Sequence, residues 1–196
     1  KLGFYHVSET ALGAQWVSAQ TSHYLNDRHD GVYISSACPS VVEYIRKYHS
    51  QHSQAITPFM SPLLSHAQMI KQWLGTDVSV VFIGPCIAKK TEADQFPLLL
   101  EASITFNNLN EWLKEEKINP QNINVTDASF YPANASDGIL YPIDGGMLNS
   151  IRQQGSIQDV AFMSFSGHNQ IADVVQNLSG LGHDRPVFLE LLACEG

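Results

Sequence analysis

At 196 residues the chain is long enough to bury a core without disulfides or metals as staples, as one generous domain or two small lobes. A formal charge of -8, a pI near 5.3 and the lack of any basic stripe exclude a phosphate-backbone footprint, so no nucleic-acid partner is expected. No apolar run approaches the ~20 residues that cross a bilayer, which points to a soluble chain with no membrane span.

Phe4 to Val7 is a short strand candidate, and the stretch Ala11 to Leu25 is expected to wind as a helix broken by residues 26–31. Val32 to Ser36 is β-branched and aromatic, a strand. Pro39 then suits a first helical position, and VVEYIRKYH places Val41, Val42 and Ile45 on one face. Ile56 to Met60 is weakly extended; Ser61 and Pro62 open a helix to about Leu74, with Leu63, Leu64, Ala67 and Ile70 at helical spacing, and Gly75 ends it.

Val78 to Ile83 is the clearest strand, closed by Gly84 and Pro85. Ser103 to Phe106 is extended, Asn107 or Asn108 caps the helix LNEWLKEEK, and Asn119-Pro120 stops it. Polar residues 121–142 read as loop. Gly145 and Gly146 precede a helix MLNSIRQQ, Val160 to Phe165 is a strand, Gln170 to Leu178 is a helix, and Val187 to Ala193 is the last strand. Strands alternating with helices predict an α/β class built of parallel βαβ units.

Each of the three cysteines follows an apolar run that reads as a buried strand: Cys38 after VYISSA, Cys86 after VVFIGP, Cys194 after FLELLA. In open α/β sheets ligands collect outside the carboxyl ends of strands, so three sequence-remote thiols can share one site. Their wide spacing fits no local CxxC metal motif, and the bland alternative for each is a small inert hydrophobe. An odd count also argues against a disulfide framework and for a reducing, cytoplasmic location. If the thiols do converge, soft thiolate ligands favour iron-sulfur clusters, zinc or copper(I).

Three strings carry a specific resemblance: SSACPSV from Ser35 to Val41, GPCIAKKTE from Gly84 to Glu92, and LLACEG from Leu191 to Gly196. They are similar to the signature segments of the iron-only ([FeFe]) hydrogenase large-subunit catalytic domain, written TSCCPxW, MPCxxKxxE and MACxGGCxxGGG. Their order, the intervening Ser61-Pro62 and the pair Gly145-Gly146 match as well, over nearly the full chain. The resemblance implies two lobes, each a small mainly parallel sheet flanked by helices, with a metal-site cleft between them. On that basis lobe one runs from about residue 25 to 92, and lobe two combines 1–24 with 93–196, the strand near Phe4 included.

The resemblance further implies a [4Fe-4S] cluster held by four cysteines, one of which bridges to a two-iron unit. Cys38, Cys86 and Cys194 match three of those ligands. The fourth is expected in a GGC just beyond Gly196, so the fragment alone is expected to lack the complete site. Lys89 matches a lysine that pairs with a cyanide ligand, Ser61 a serine beside the dithiolate, and Pro85 the proline of the second motif. The bland alternative for Lys89 is a solvated side chain next to Lys90.

Departures from the family pattern are as informative. Hydrogen turnover requires titratable groups within hydrogen-bond reach of one another to deliver a proton. The cysteine that begins the family's relay is replaced by Ala37, and Ala14 to Leu25, which matches the helix supplying the relay's acids, has no carboxylate. A hydroxyl at Thr57 is the remnant. The two methionines flanking the two-iron unit are represented by Gly84 and Leu192, and the tryptophan of the first motif by Val41.

The Ala37 pattern is similar to a branch of the family associated with sensing hydrogen or redox state, whose members are fused to ferredoxin-like, PAS, kinase or phosphatase domains. Three readings follow: a sensory or regulatory iron-sulfur domain with little or no hydrogen turnover, an active hydrogenase fed through Thr57 and water, and a cluster-free interaction scaffold. Other candidates are weak. His49 and His52 suit a helix end, His168 at a strand end faces the cleft in one reading and solvent in the other, and Asn124, Asn134 and Asn177 begin Asn-X-Ser/Thr triplets that chance explains.

Overall fold

The computed structural model describes residues 2–124, 129–154 and 159–194, and within them five strands form two parallel sheets. The larger has the order β1 (Val32–Ile34), β5 (Val187–Leu192), β4 (Ala161–Ser166); the smaller pairs β2 (Val81–Ile83) with β3 (Ala102–Ile104). Both have helices against them, so the expected α/β class with small parallel sheets is the observed one.

β5 is the middle strand, and its alternating side chains feed two cores. Leu189 and Leu191 join Ile34 against Val41 and Ile45 of α2 (Pro39–Tyr48) and Ile171 and Val175 of α7 (His168–Gln176). Phe188 points the other way, into Val17 and Leu25 of α1 (Ala11–Asn26) and Met147 and Ile151 of α6 (Gly146–Gln153). Covered on both faces, β5 reads as an unbroken apolar run interrupted by one carboxylate, Glu190. A third core joins Leu63, Leu64 and Ala67 of α3 (Pro62–Leu74) to Ala93 of α4 (Lys89–Gln95) and Leu100. α5 (Phe106–Glu115) carries no buried residue.

Local rules set the ends of the elements around the cleft. Pro39 opens α2 directly after Cys38, where its missing N–H is one the first turn leaves unpaired anyway. Ser61 caps α3 by accepting from the Leu64 N–H at 3.3 Å, and Gly75 closes that helix at φ 101. α1 and α3 meet backbone to backbone: a Cβ built on Gly13 falls 2.1 Å from the Pro62 carbonyl oxygen.

Several expectations are corrected. Phe4 to Val7 is not a strand; the segment is exposed and held by side-chain stacking, His6 lying 4.2 Å from the Tyr131 ring, and by the Tyr131 N–H donating to the Val7 carbonyl at 2.8 Å. β2 begins only at Val81, and Ile56 to Met60 contributes one bridge, Ile34 to Ile56. α5 is capped by Thr105, not by Asn107 or Asn108: the Thr105 hydroxyl accepts from the Asn108 N–H while the Asn108 side chain accepts from the Thr105 N–H. α4 has no counterpart in the expected elements, and the polar region contains short 3-10 turns at Pro120–Asn122 and Asp137–Leu140. Residues 125–128 of that region, and Glu195 and Gly196 of the third motif, lie outside the described residues.

Strand pairing also cuts across the expected lobe boundary. β1, placed in lobe one, hydrogen-bonds to β5 of lobe two, and β2 pairs with β3 from beyond residue 92. Crossover connections between parallel strands carry partners far apart in sequence, so strands from either side of residue 92 lie side by side in both sheets.

Candidate functional site

Because β1, β4 and β5 are parallel, their carboxyl ends share one rim of the larger sheet. Cys38 lies just past β1, and Cys194 just past β5. Cys38 is half-buried against the same core as Ala193 and immediately precedes α2. Cys86 follows β2 of the smaller sheet; it and Cys194 are exposed.

One side chain ties the second motif to the first. The Lys89 ammonium lies 2.7 Å from a Glu92 carboxylate oxygen and donates to the Ala37 carbonyl at 3.4 Å. The two charged side chains are only 12% and 9% exposed. Lys89 is therefore not the solvated lysine of the bland alternative, and it brings the start of α4 against the rim that carries Cys38. Glu92 owes its position to the i,i+3 spacing that puts it over Lys89 on one helical turn.

Among the described residues, no three His, Cys, Asp or Glu side chains lie close enough to hold a metal ion. The structure gathers the motifs, then, without closing the thiols into a ligand set. The donor chemistry still fits a thiolate-bound group: all three cysteines are free, none is sealed in a core, and two stand at parallel strand ends of one sheet.

Beside this rim opens a cleft of about 580 Å³ between α2 on one side and the starts of α3 and α4 on the other. Ser36, Thr57, Ser61 and Glu92 line it, with Glu43 and Arg46 among its other walls. Thr57 is buried at 3% exposure, and its hydroxyl donates to the Ser36 hydroxyl across a long 3.5 Å. Thr57 and Ser61 line this cleft, whereas Pro85 is exposed and outside it, and none of the three cysteines is among its walls. His168 is exposed, edge-on to the Tyr44 ring at 5.9 Å, and His49 bonds the Tyr44 hydroxyl at 3.1 Å; neither lines the cleft.

Sequence reasoning passed over Ser36, whose burial only the fold reveals, and gave no role to Glu92 or Glu190. Glu190 had a visible signal, since a carboxylate inside VFLELL occupies a strand buried on both faces. Its carboxylate accepts from the Met147 N–H at 3.0 Å, yet burial pushes its pKa up to about 7. Burial likewise lowers His66 to about 4, its Nε2 lying 2.8 Å from the Ser8 hydroxyl, and raises the Tyr141 phenol, which accepts from Ser18 at 3.2 Å.

No helix among the described residues is long and apolar enough to cross a membrane. Comparison with curated proteins finds no match. Among solved structures, the chain is similar to a variant of the [FeFe]-hydrogenase HydA1 from Chlamydomonas reinhardtii at a TM-score of 0.73 and 16% identity, over 98% of this chain and 68% of that one. A second variant of the same enzyme gives 0.76 and 17% over the same shares. A structure described as revealing stepwise H-cluster assembly in [FeFe]-hydrogenase gives 0.75 and 17%, again over 98% and 68%. At these identities the likeness establishes the fold. The family model described as the iron only hydrogenase large subunit, C-terminal domain, matches residues 1–196, and the chain belongs to that family.

Proposed function

We propose that this chain is the cluster-holding part of a sensory or regulatory iron-sulfur protein with little or no hydrogen turnover. The observation that carries the reading is Ala37: it stands at the rim beside Cys38, offers only a backbone carbonyl to Lys89, and has no ionisable side chain to pass a proton. Helix α1, which packs behind the same sheet, has no carboxylate along its length.

Cys38, Cys86 and Cys194 would serve as three of the thiolate ligands to a [4Fe-4S] cluster. When bound, such a cluster, with or without a two-iron unit, supplies one-electron redox chemistry. The chain's own residues have definable tasks beside it. Lys89, fixed by Glu92, directs a buried ammonium toward the rim, where it favours anionic ligands. Ser61 spends its oxygen on the Leu64 N–H and keeps its hydroxyl hydrogen for a neighbour in the cleft. Ala37 puts no ionisable side chain at the point where the family relay begins. The signal partner under this reading is another domain of the same protein, of ferredoxin-like, PAS, kinase or phosphatase type.

Hydrogen evolution by the matured full-length protein, with a reduced electron donor, tests the proposal. Rates at or near background support it, and rates typical of catalytic hydrogenases sink it. One observation favours the active-enzyme reading: the buried Thr57 and Ser36 hydroxyls face each other on the cleft wall. If they carry the proton, Thr57→Val removes activity while Ala37→Cys leaves it nearly unchanged.

A further inference from the structure

Glu190 and Asp144 compete for one hydroxyl. Glu190 on β5 and Ser164 on β4 are register partners in adjacent parallel strands, so their side chains rise from the same face of the sheet. Ser164 donates to the carboxylate of Asp144 and accepts the Gly145 N–H at 3.1 Å. A serine has a single hydrogen to give. With it committed to Asp144, Glu190 takes the Met147 N–H at 3.0 Å on one oxygen, with the Leu148 N–H and the Ser164 hydroxyl also near the carboxylate, while its other oxygen, on a residue 1% exposed, makes no hydrogen bond of normal geometry among the described residues.

We propose that Asp144, Ser164 and Glu190 form a proton-exchanging site that links solvent to the sheet face on which Ala37 lies. Asp144 is exposed and Glu190 is not, so the hydroxyl between them is the step from water to interior. A proton taken from water by Asp144 passes to Ser164, whose own hydrogen passes to Glu190; no oxidant or reductant is involved. The proton fills the vacancy on the unpartnered oxygen. Ser35, one residue past β1, extends polar contact toward the rim: its hydroxyl donates to the Met147 sulfur at 2.9 Å and accepts the Ala37 N–H at 3.1 Å.

The groups facing Glu190 pull both ways: the Met147 and Leu148 N–H groups and the Ser164 hydroxyl favour its charged form, while burial, the larger effect, and the Asp144 carboxylate oppose it. Asp144 before α6 is a like charge, Tyr141 is held neutral by burial, α1 presents Ser18 but no charged side chain, and Arg152 of α6 lies over the Phe162 ring. Burial and the Asp144 charge together bring the Glu190 proton affinity toward neutrality. The titration rests on the geometry of Asp144, Ser164 and Glu190 alone and stands whether or not the chain turns over hydrogen.

Infrared titration of the carboxyl bands in the cofactor-free protein, between pH 4 and 9, tests the site directly. The expected result is a protonated carboxyl band that titrates near neutral pH, is lost in Glu190→Gln, and moves to lower pH by about half a unit or more in Asp144→Asn as the like charge goes. Absence of such a band, or a band that Asp144→Asn leaves in place, overturns the proposal. Should Glu190→Gln fail to fold, the exposed Asp144→Asn still decides it. Failure of the cluster or sensory reading would leave this titration untouched, so the two are separable.

Discussion

Lys89 divides its ammonium between the Glu92 carboxylate and the Ala37 carbonyl, and the pair is nearly closed to water. Removing one partner leaves an uncompensated charge, so Glu92→Ala is expected to lower unfolding free energy by on the order of 3 kcal/mol in urea denaturation, far more than an exposed pair is worth. By contrast, half-buried Glu43 at the cleft mouth pairs with exposed Arg46 and Lys47 across 3.8 and 3.5 Å, and Glu43→Gln should change stability by less than about 1 kcal/mol. Two buried groups give opposite pH slopes. Glu190 binds its proton more tightly folded than unfolded, so its contribution is full below pH 4.5 and is lost as pH rises through about 7. His66 is held neutral, so its contribution is full above pH 6.5 and is lost as pH falls through about 4. Stability measured across that range should therefore be flatter in the native chain than in Glu190→Gln, which leaves the His66 slope unopposed. A Glu190→Gln profile identical to the native one contradicts this assignment.

At the scale of elements, the helices and strands nearest the cysteines were readable because punctuation and periodicity agree there: Pro39 after Cys38, Ser61-Pro62 before an apolar face, Gly145-Gly146 before α6. Where they disagree, legibility fails. The segment LGFYHV alternates like a strand but finds no hydrogen-bonding edge and is held by rings, His6 on Tyr131 and Phe4 edge-on to Trp112 at 5.9 Å. α4 has only seven residues, mostly polar, and forms because Ala93 and Glu92 are buried against neighbours that no local pattern announces. Gly13 looks like a flaw in α1 and is instead its point of contact with α3. Gly13→Ala would drive a methyl group into the Pro62 carbonyl, and overpacking of this kind is expected to cost about 1–3 kcal/mol by thermal or urea unfolding, where the same change in an open helix would stabilise.

For the whole molecule, three short motifs sufficed to name the fold family, whereas the sheet order β1-β5-β4 did not follow from them, since it joins residues about 150 positions apart in sequence. The pairing matters for function: it is what sets Cys38 and Cys194 on one rim, and Lys89 reaching the Ala37 carbonyl is what draws the second motif to it. Legible in advance were the residues of that rim; illegible were Glu190 with Asp144 and Ser164, a cluster that exists only once β4 lies beside β5. Under the proposed function the thiolates come from three separate elements and each is required, since no pair of them forms a local chelate. Iron and acid-labile sulfide, counted per chain in anaerobically purified full-length protein, test this most directly when Cys38→Ser, Cys86→Ser and Cys194→Ser are measured beside it. One [4Fe-4S] equivalent per chain, sharply reduced in each variant, is the predicted result; iron-free native protein, or iron kept undiminished by all three variants, would contradict it.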